Sequence, residues 1–144
     1  MKRKDIDRRV LEELIGNARL SFRKIATRIG TSTATVASSV RRLKKAGIIR
    51  KFTTAVDYEK LGYSFHVIIE IKIRQGKLFN IENAIASNPC VFAVYDHTGQ
   101  TDTTVLARFR SRSELDSFIK QLQKMKYVER TETKLVLNII KDER

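Results

Sequence analysis

Apolar residues in the first 47 positions recur every three or four places, whereas between positions 65 and 74 they recur every second place. The first spacing belongs to helices and the second to strands. In DIDRRVLEELIG, Ile6, Val10, Leu11 and Leu14 fall on one helical face, with Asp5 placed as an N-cap and Gly16 as the stop. In SFRKIATRIG, Ser21 is positioned to cap a helix whose apolar face is Phe22, Ile25, Ala26 and Ile29, and Gly30 supplies the left-handed residue that ends it. A third helix follows after about three residues, starting near Ser32 or Thr33 and running to Ala46. Val36, Val40 and Leu43 form its buried stripe and Gly47 ends it. Two short helices joined by a tight Gly-containing turn, preceded by a third, have the plan of a helix-turn-helix domain.

The pattern then changes. IIRKFTTAVDYEKLG opens with β-branched and aromatic residues and closes in a polar turn at Asp57 to Gly62, as a linker strand would. In SFHVIIEIKIR, Phe65, Val67, Ile69, Ile71 and Ile73 alternate with His66, Ile68, Glu70, Lys72 and Arg74. Leu78, Ile81 and Ile85 mark a helix that Asn88 and Pro89 close. Strands VFAVYD (91–96) and TTVLARF (103–109) flank the turn HTGQTD. SRSE (111–114) opens, as a capping box, a helix with Leu115, Phe118, Ile119, Leu122 and Met125 on its face, and ETKLVLNII is expected as the last strand.

The predicted fold class is α+β: a three-helix helix-turn-helix domain (1–50), a linker strand (51–62), and a ferredoxin-like βαββαβ domain (63–144) with two helices on one face of an antiparallel four-stranded sheet. The other face of that sheet needs a cover. VFAVY is apolar at both parities, and Ile68 and Ile140 interrupt the polar side of their strands, so a second copy is expected to pack there.

Charge divides the chain as sharply as periodicity does. Residues 1–51 hold 15 Lys and Arg against 4 Asp and Glu, a net of +11; the other 93 residues carry the remaining +2 of the total +13. A small module this basic faces a polyanion. No run of about 18 apolar residues exists to span a membrane, and the start MKRKDIDRR has no signal-peptide core, so a cytoplasmic, nucleoid-associated location is expected. The lone Cys90 excludes an internal disulfide and a cysteine-cluster zinc site, and its place after Pro89 suits a small core residue. His66 and His97 lack neighbouring ligands at helical spacing, no nucleophile motif accompanies Asp96 and His97, and there is no P-loop or dinucleotide fingerprint. Neither an enzyme nor a resident cofactor or metal is indicated.

The third helix carries the chemistry that remains. Opposite its buried stripe stand Ala34, Ser38, Arg41 and Lys45, flanked by Thr35 and Arg42. Small and hydroxylated residues on the first turns suit approach to base edges in a major groove, and cations on the last turns suit phosphates. Thr33, Ala34, Thr35 and Ser38 are therefore the candidate base readers, Arg41, Arg42, Lys44 and Lys45 the phosphate contacts, and double-stranded DNA the partner. Ser32 or Thr33 could present backbone NH groups to a phosphate, and Arg19, Arg23, Lys24 and Arg28 add charge on the preceding helix and turn.

Nearly the whole chain resembles the Lrp/AsnC, or feast/famine, family of transcription regulators. The resemblance rests on DIDRRVLEEL, NARLSFRKIATRIGTS, VRRLKKAGIIRKFTTAVDYEKLGY, TGQTD and VERTETKLVLNIIK, in that order and spacing. It implies sequence-specific regulation through a winged or plain helix-turn-helix. It also implies a ligand-sensing domain that forms homodimers, and in many relatives tetramers or octamers, with an amino-acid effector held near Gly99, Gln100, Thr101 and Asp102 and, by a weaker transfer, Thr131 and Thr133. The residues themselves leave two readings of HTGQTD: a hairpin turn needs its Gly and Asp, and the same groups suit an α-amino group and a polar side chain. The chain departs from the family at Ser39, often Arg, at Lys44 and Lys45, commonly Glu, and at Thr103 and Thr104, where an aromatic or apolar residue is frequent. The other class of function compatible with fold and charge is an architectural nucleoid protein without effector control.

Overall fold

A computed structural model describes residues 3–74 and 78–142. The chain divides into two compact units between Thr54 and Ala55.

The first unit contains α1 (Arg3–Gly16), α2 (Phe22–Ile29) and α3 (Thr33–Lys45). Two hydroxyls start the later helices: Ser21 accepts from the Lys24 amide at 3.2 Å and Ser32 from the Thr35 amide at 3.1 Å. Gly30, at φ 69°, stops α2, and the next amide, of Thr31, closes back on the Ala26 carbonyl at 2.9 Å. Gly47 repeats the device after α3 at φ 71°, with the amides of Ile48 and Ile49 both returning to the Leu43 carbonyl. Val10, Leu14, Leu20, Ile25, Ala26, Ile29, Val36, Val40, Leu43 and Ile49 make one core. Asp5 is no cap, because helix-forming Arg3 and Lys4 extend α1 backward. Phe22, the first residue of α2, stands 38% exposed, so the buried stripe begins a turn later at Ile25.

The second unit contains β1 (Phe65–Ile73), α4 (Leu78–Ala86), β2 (Val91–Asp96), β3 (Thr103–Phe109), α5 (Arg112–Lys124) and β4 (Val128–Leu135). The sheet order is β2-β3-β1-β4 with every pair antiparallel, the ferredoxin-like arrangement that the element order predicts. Val67, Ile69, Ile71 and Ile73 of β1 join Val105, Ala107 and Phe109 of β3 beneath Ile81 and Ile85 of α4 and Phe118 and Leu122 of α5. Each such side chain withdrawn from water contributes about 1.5–3 kcal/mol, so the period-two pattern fixes which face the helices cover.

Two expected strands differ. Residues 51–62 form none; the segment is irregular to Asp57 and then turns, because an extended chain becomes a strand only beside a hydrogen-bonding partner. The last strand lies earlier than ETKLVLNII, at Val128–Leu135, since β1 begins at Phe65 and pairing ends at Val67 with Leu135 and at the Val136 amide on the His66 carbonyl. Ile140 therefore lies outside the sheet, 94% exposed, and does not line its outer face.

That outer face carries Ile68, Glu70, Lys72, Thr104, Leu106 and Arg108, set by the register of β1 on β3. At one end, Tyr58 lies against it: the Arg108 guanidinium sits 3.2 Å from the Tyr58 ring centroid and 4.5 Å from that of Phe92. Arg110 fastens the same segment, donating to the Leu61 carbonyl at 2.9 Å and lying over Tyr63. Gly62 holds φ 88° there, a conformation that L side chains rarely adopt.

Candidate functional site

The outward surface of α3 begins with exposed Thr33 and Ala34 and ends with exposed Arg41, Lys44 and Lys45, none of them in a salt bridge among the described residues. Arg23 is likewise exposed on α2. Ser32 and Thr35 are occupied locally: besides capping, Ser32 Oγ lies 2.8 Å from Thr35 Oγ1. Their hydroxyls hold the first turn in shape, leaving Thr33 and Ala34 as its most open side chains.

Arg42 has a different place from the one expected. Its Nη2 and Nε donate to the two oxygens of Asp7 on α1, at 2.5 and 3.3 Å, and its Nη1 donates to Ser38 Oγ at 2.9 Å. Ser39, fully buried, donates to the same Asp7 at 2.5 Å. Arg42 is thus engaged within the fold in place of reaching freely outward, because a partly buried carboxylate on α1 is stabilised by a charged partner. The Arg42 hydrogen bonds, with help from Ser39 and the nearby charge of Arg3, hold the Asp7 carboxyl below its usual range despite partial desolvation. Beside this network Arg3, Ile6, Ala34, Thr35, Ser38 and Arg42 line an open groove of about 430 Å³ between α1 and α3. Arg3 and Asp7 were not among the sequence candidates.

In the second unit, Gly99 (φ 135°) and Gln100 are exposed and Thr101 is half-buried, but Asp102 is turned inward. Its carboxylate accepts the Ile73 amide at 2.8 Å and Lys72 Nζ at 3.0 Å. Those bonds, the backbone one first, hold its carboxyl below the usual range. An effector's amino group would have to compete with them. Thr103, fully buried, donates to Glu82 of α4 at 2.6 Å, and Thr104 Oγ1 lies 2.8 Å from His97 Nε2. Thr131 and Thr133 pair with Ile71 and Ile69 across the far side of β1. β1 runs between β3, which the turn precedes, and the strand that carries the two threonines. Burial pushes the Cys90 thiol up, consistent with a residue packed on the core.

A compact helix-turn-helix with an exposed cationic third helix, in one chain with a βαββαβ unit, defines a DNA-binding regulator with a separate sensing domain. Comparison with known proteins makes the class specific. Residues 66–144 match the family model described as the Lrp/AsnC ligand binding domain, and residues 3–50 match that of the winged helix-turn-helix DNA-binding domain. An uncharacterized HTH-type transcriptional regulator of Pyrococcus furiosus is 40% identical over 96% of this chain and 94% of its own, and the regulator FL11 of the same organism is 32% identical over 96% and 91%. Among solved structures, Escherichia coli AsnC superposes with a TM-score of 0.85 at 30% identity, covering 97% of this chain and 95% of that one. A feast or famine regulatory protein of Mycobacterium tuberculosis complexed with L-methionine gives 0.87 at 25% identity, over 97% and 95%. The chain belongs to the Lrp/AsnC family and is a transcriptional regulator of that type. No helix among the described residues is long and apolar enough to cross a membrane.

Proposed function

We propose that this regulator binds operator DNA as a dimer-based assembly through α3 and responds to an amino acid or a related small effector. The observation that carries the reading is the exposed trio Arg41, Lys44 and Lys45, in no salt bridge among the described residues, on the last turns of a helix whose first turn presents Thr33 and Ala34. Arg23, with Thr35 and Ser38, completes the contact surface, and Ser32 orders its leading edge. Two copies would meet over the outer sheet face, where Ile68 and Leu106 lie on neighbouring strands and Tyr95 is half-exposed. Val56, an exposed apolar residue of the segment before β1, would add to that contact. Higher assembly from such dimers, cytoplasmic and on the nucleoid, is part of this reading, as is action through binding and not catalysis. The effector would meet Gly99, Gln100 and Thr101, with Asp102 behind them as a support and Thr131 and Thr133 contributed from beyond β1.

The internal use of Asp102 favours a second reading, an architectural DNA-binding protein without effector control. Mobility shifts on the duplex upstream of the protein's own coding sequence, repeated with each amino acid, separate the two. A discrete shift altered by one compound supports the first. Uniform coating of any duplex, unchanged by all of them, supports the second.

A further inference from the structure

Asp7 sits on the face of α1 that carries Val10 and Leu14, three and seven residues on, and it is the only acidic residue so placed among the described residues of that helix's buried stripe. Its carboxylate collects three donors from α3: the hydroxyl of fully buried Ser39 and two nitrogens of Arg42. Neither α3 residue is a neighbour in sequence, so the carboxylate crosses between helices and sets the rotation of α3 against α1. The third nitrogen of Arg42 then donates to Ser38 Oγ. A serine hydroxyl that accepts from a guanidinium keeps its own proton available to donate, and Ser38 lines the groove together with Arg3, Ala34 and Thr35.

We propose that Asp7 is a specificity-determining positioning residue: it withholds the Arg42 guanidinium from the DNA backbone and, through Arg42, orients Ser38 as an outward hydrogen-bond donor. An arginine on a flexible stem near DNA grips any phosphate and so raises affinity for all sequences alike. Planar, held by three bonds and about 70% covered, this guanidinium cannot swing out without abandoning a carboxylate on the buried stripe. The chain gives up one indiscriminate contact and gains a fixed donor on the surface where base edges would be read. Exposed Arg41, Lys44 and Lys45 remain for the backbone. The inference rests on DNA binding by α3.

The test uses the full chain, a duplex selected by the wild-type protein from a random pool, and a scrambled duplex of equal length, each titrated over a salt series. Asp7→Asn is expected to tighten binding to the scrambled duplex, to steepen the dependence of log affinity on log salt by about one, and to shrink the selected-to-scrambled ratio roughly tenfold. Asp5→Asn, the same charge change on the same helix at a residue paired with exposed Arg8, should leave the ratio unchanged. Arg42→Gln in the wild-type background should leave the salt slope as it was, and the Asp7→Asn, Arg42→Gln double variant should return to it. If Asp7→Asn folds poorly, Arg42→Gln alone decides: a slope shallower by about one means that Arg42 already grips a phosphate and overturns the proposal. Equal weakening on both duplexes by Asp7→Asn, with an unchanged slope, overturns it as well. Absence of any salt-dependent binding by the wild-type chain instead removes the DNA-binding reading itself.

Discussion

The amide of Ile73 donates to Asp102 at 2.8 Å while the amide of Asp102 donates to the Ile71 carbonyl at 2.9 Å, so one residue after the hairpin turn is stitched twice to the edge of β1. Asp102→Asn keeps the shape but offers one acceptor oxygen where Asp102 uses two, so it loses the charge and cannot accept from both Ile73 and Lys72. It should lower stability at pH 7 by about 1–2 kcal/mol, measured by urea or thermal unfolding. The Asp102 carboxyl is held below its usual value in the folded chain, so its contribution is present above the unfolded-state value near 3.8 and disappears as pH falls through the lower folded one. The difference between wild type and Asp102→Asn should accordingly narrow as pH falls below the unfolded-state value near 3.8, and a difference independent of pH through the acid range would place the effect elsewhere.

A contrasting role is assigned to the end of α3. Lys45→Ala should weaken binding to every duplex alike and make the salt dependence shallower by about one, in a filter-binding or anisotropy series. Ser38→Ala should instead alter the ranking of related sites, by about 1–3 kcal/mol at the position that it reads. Equal loss on specific and random DNA in the Ser38 variant would remove Ser38 from the reading surface.

The segment before β1 depends on one stacked ring. Tyr58→Ala removes the platform for Arg108 and should speed tryptic cleavage at Lys60, whereas Tyr58→Phe, which keeps the ring, should cleave like wild type. Identical rates for both variants would show that Arg110, through Leu61 and Tyr63, suffices to hold the segment.

Leu106→Lys places a charge amid the outer sheet face without touching the helix-covered core. Sedimentation should find the variant monomeric at concentrations where wild type is dimeric, with far-UV circular dichroism unchanged. A dimer that survives would move the interface off this sheet face.

Most elements were legible because their signals are local. Ser21, Ser32 and Ser111 cap the helices that they precede, Gly30 and Gly47 end α2 and α3, and the alternation from Phe65 to Ile73 assigns the covered face of β1. What was missed depends on residues far apart in the chain. β4 stops at Leu135 because β1 starts at Phe65, which the apolar run through Ile140 does not encode. The segment after Ile49 has strand composition and no strand to join. Asp7 and Ser39 did announce themselves: each is a polar residue at helical spacing on an otherwise apolar stripe, and such a residue needs a partner. That the partner would be Arg42, 35 residues away, required the two helices to be set side by side.

The cations that crowd the last turn of α3 have a use that involves no other molecule. Lys44 and Lys45 lie where the final carbonyls of the helix leave a partial negative charge, and unlike Arg42, which Asp7 holds, neither is in a salt bridge among the described residues. Lysine at both of these positions therefore suits the helix macrodipole, by a few tenths of a kcal/mol per residue at an exposed terminus. Substitutions that strengthen attraction to a polyanion usually burden a small basic domain with self-repulsion. At this helix end, the same charges also help to keep the reading element wound before it meets anything.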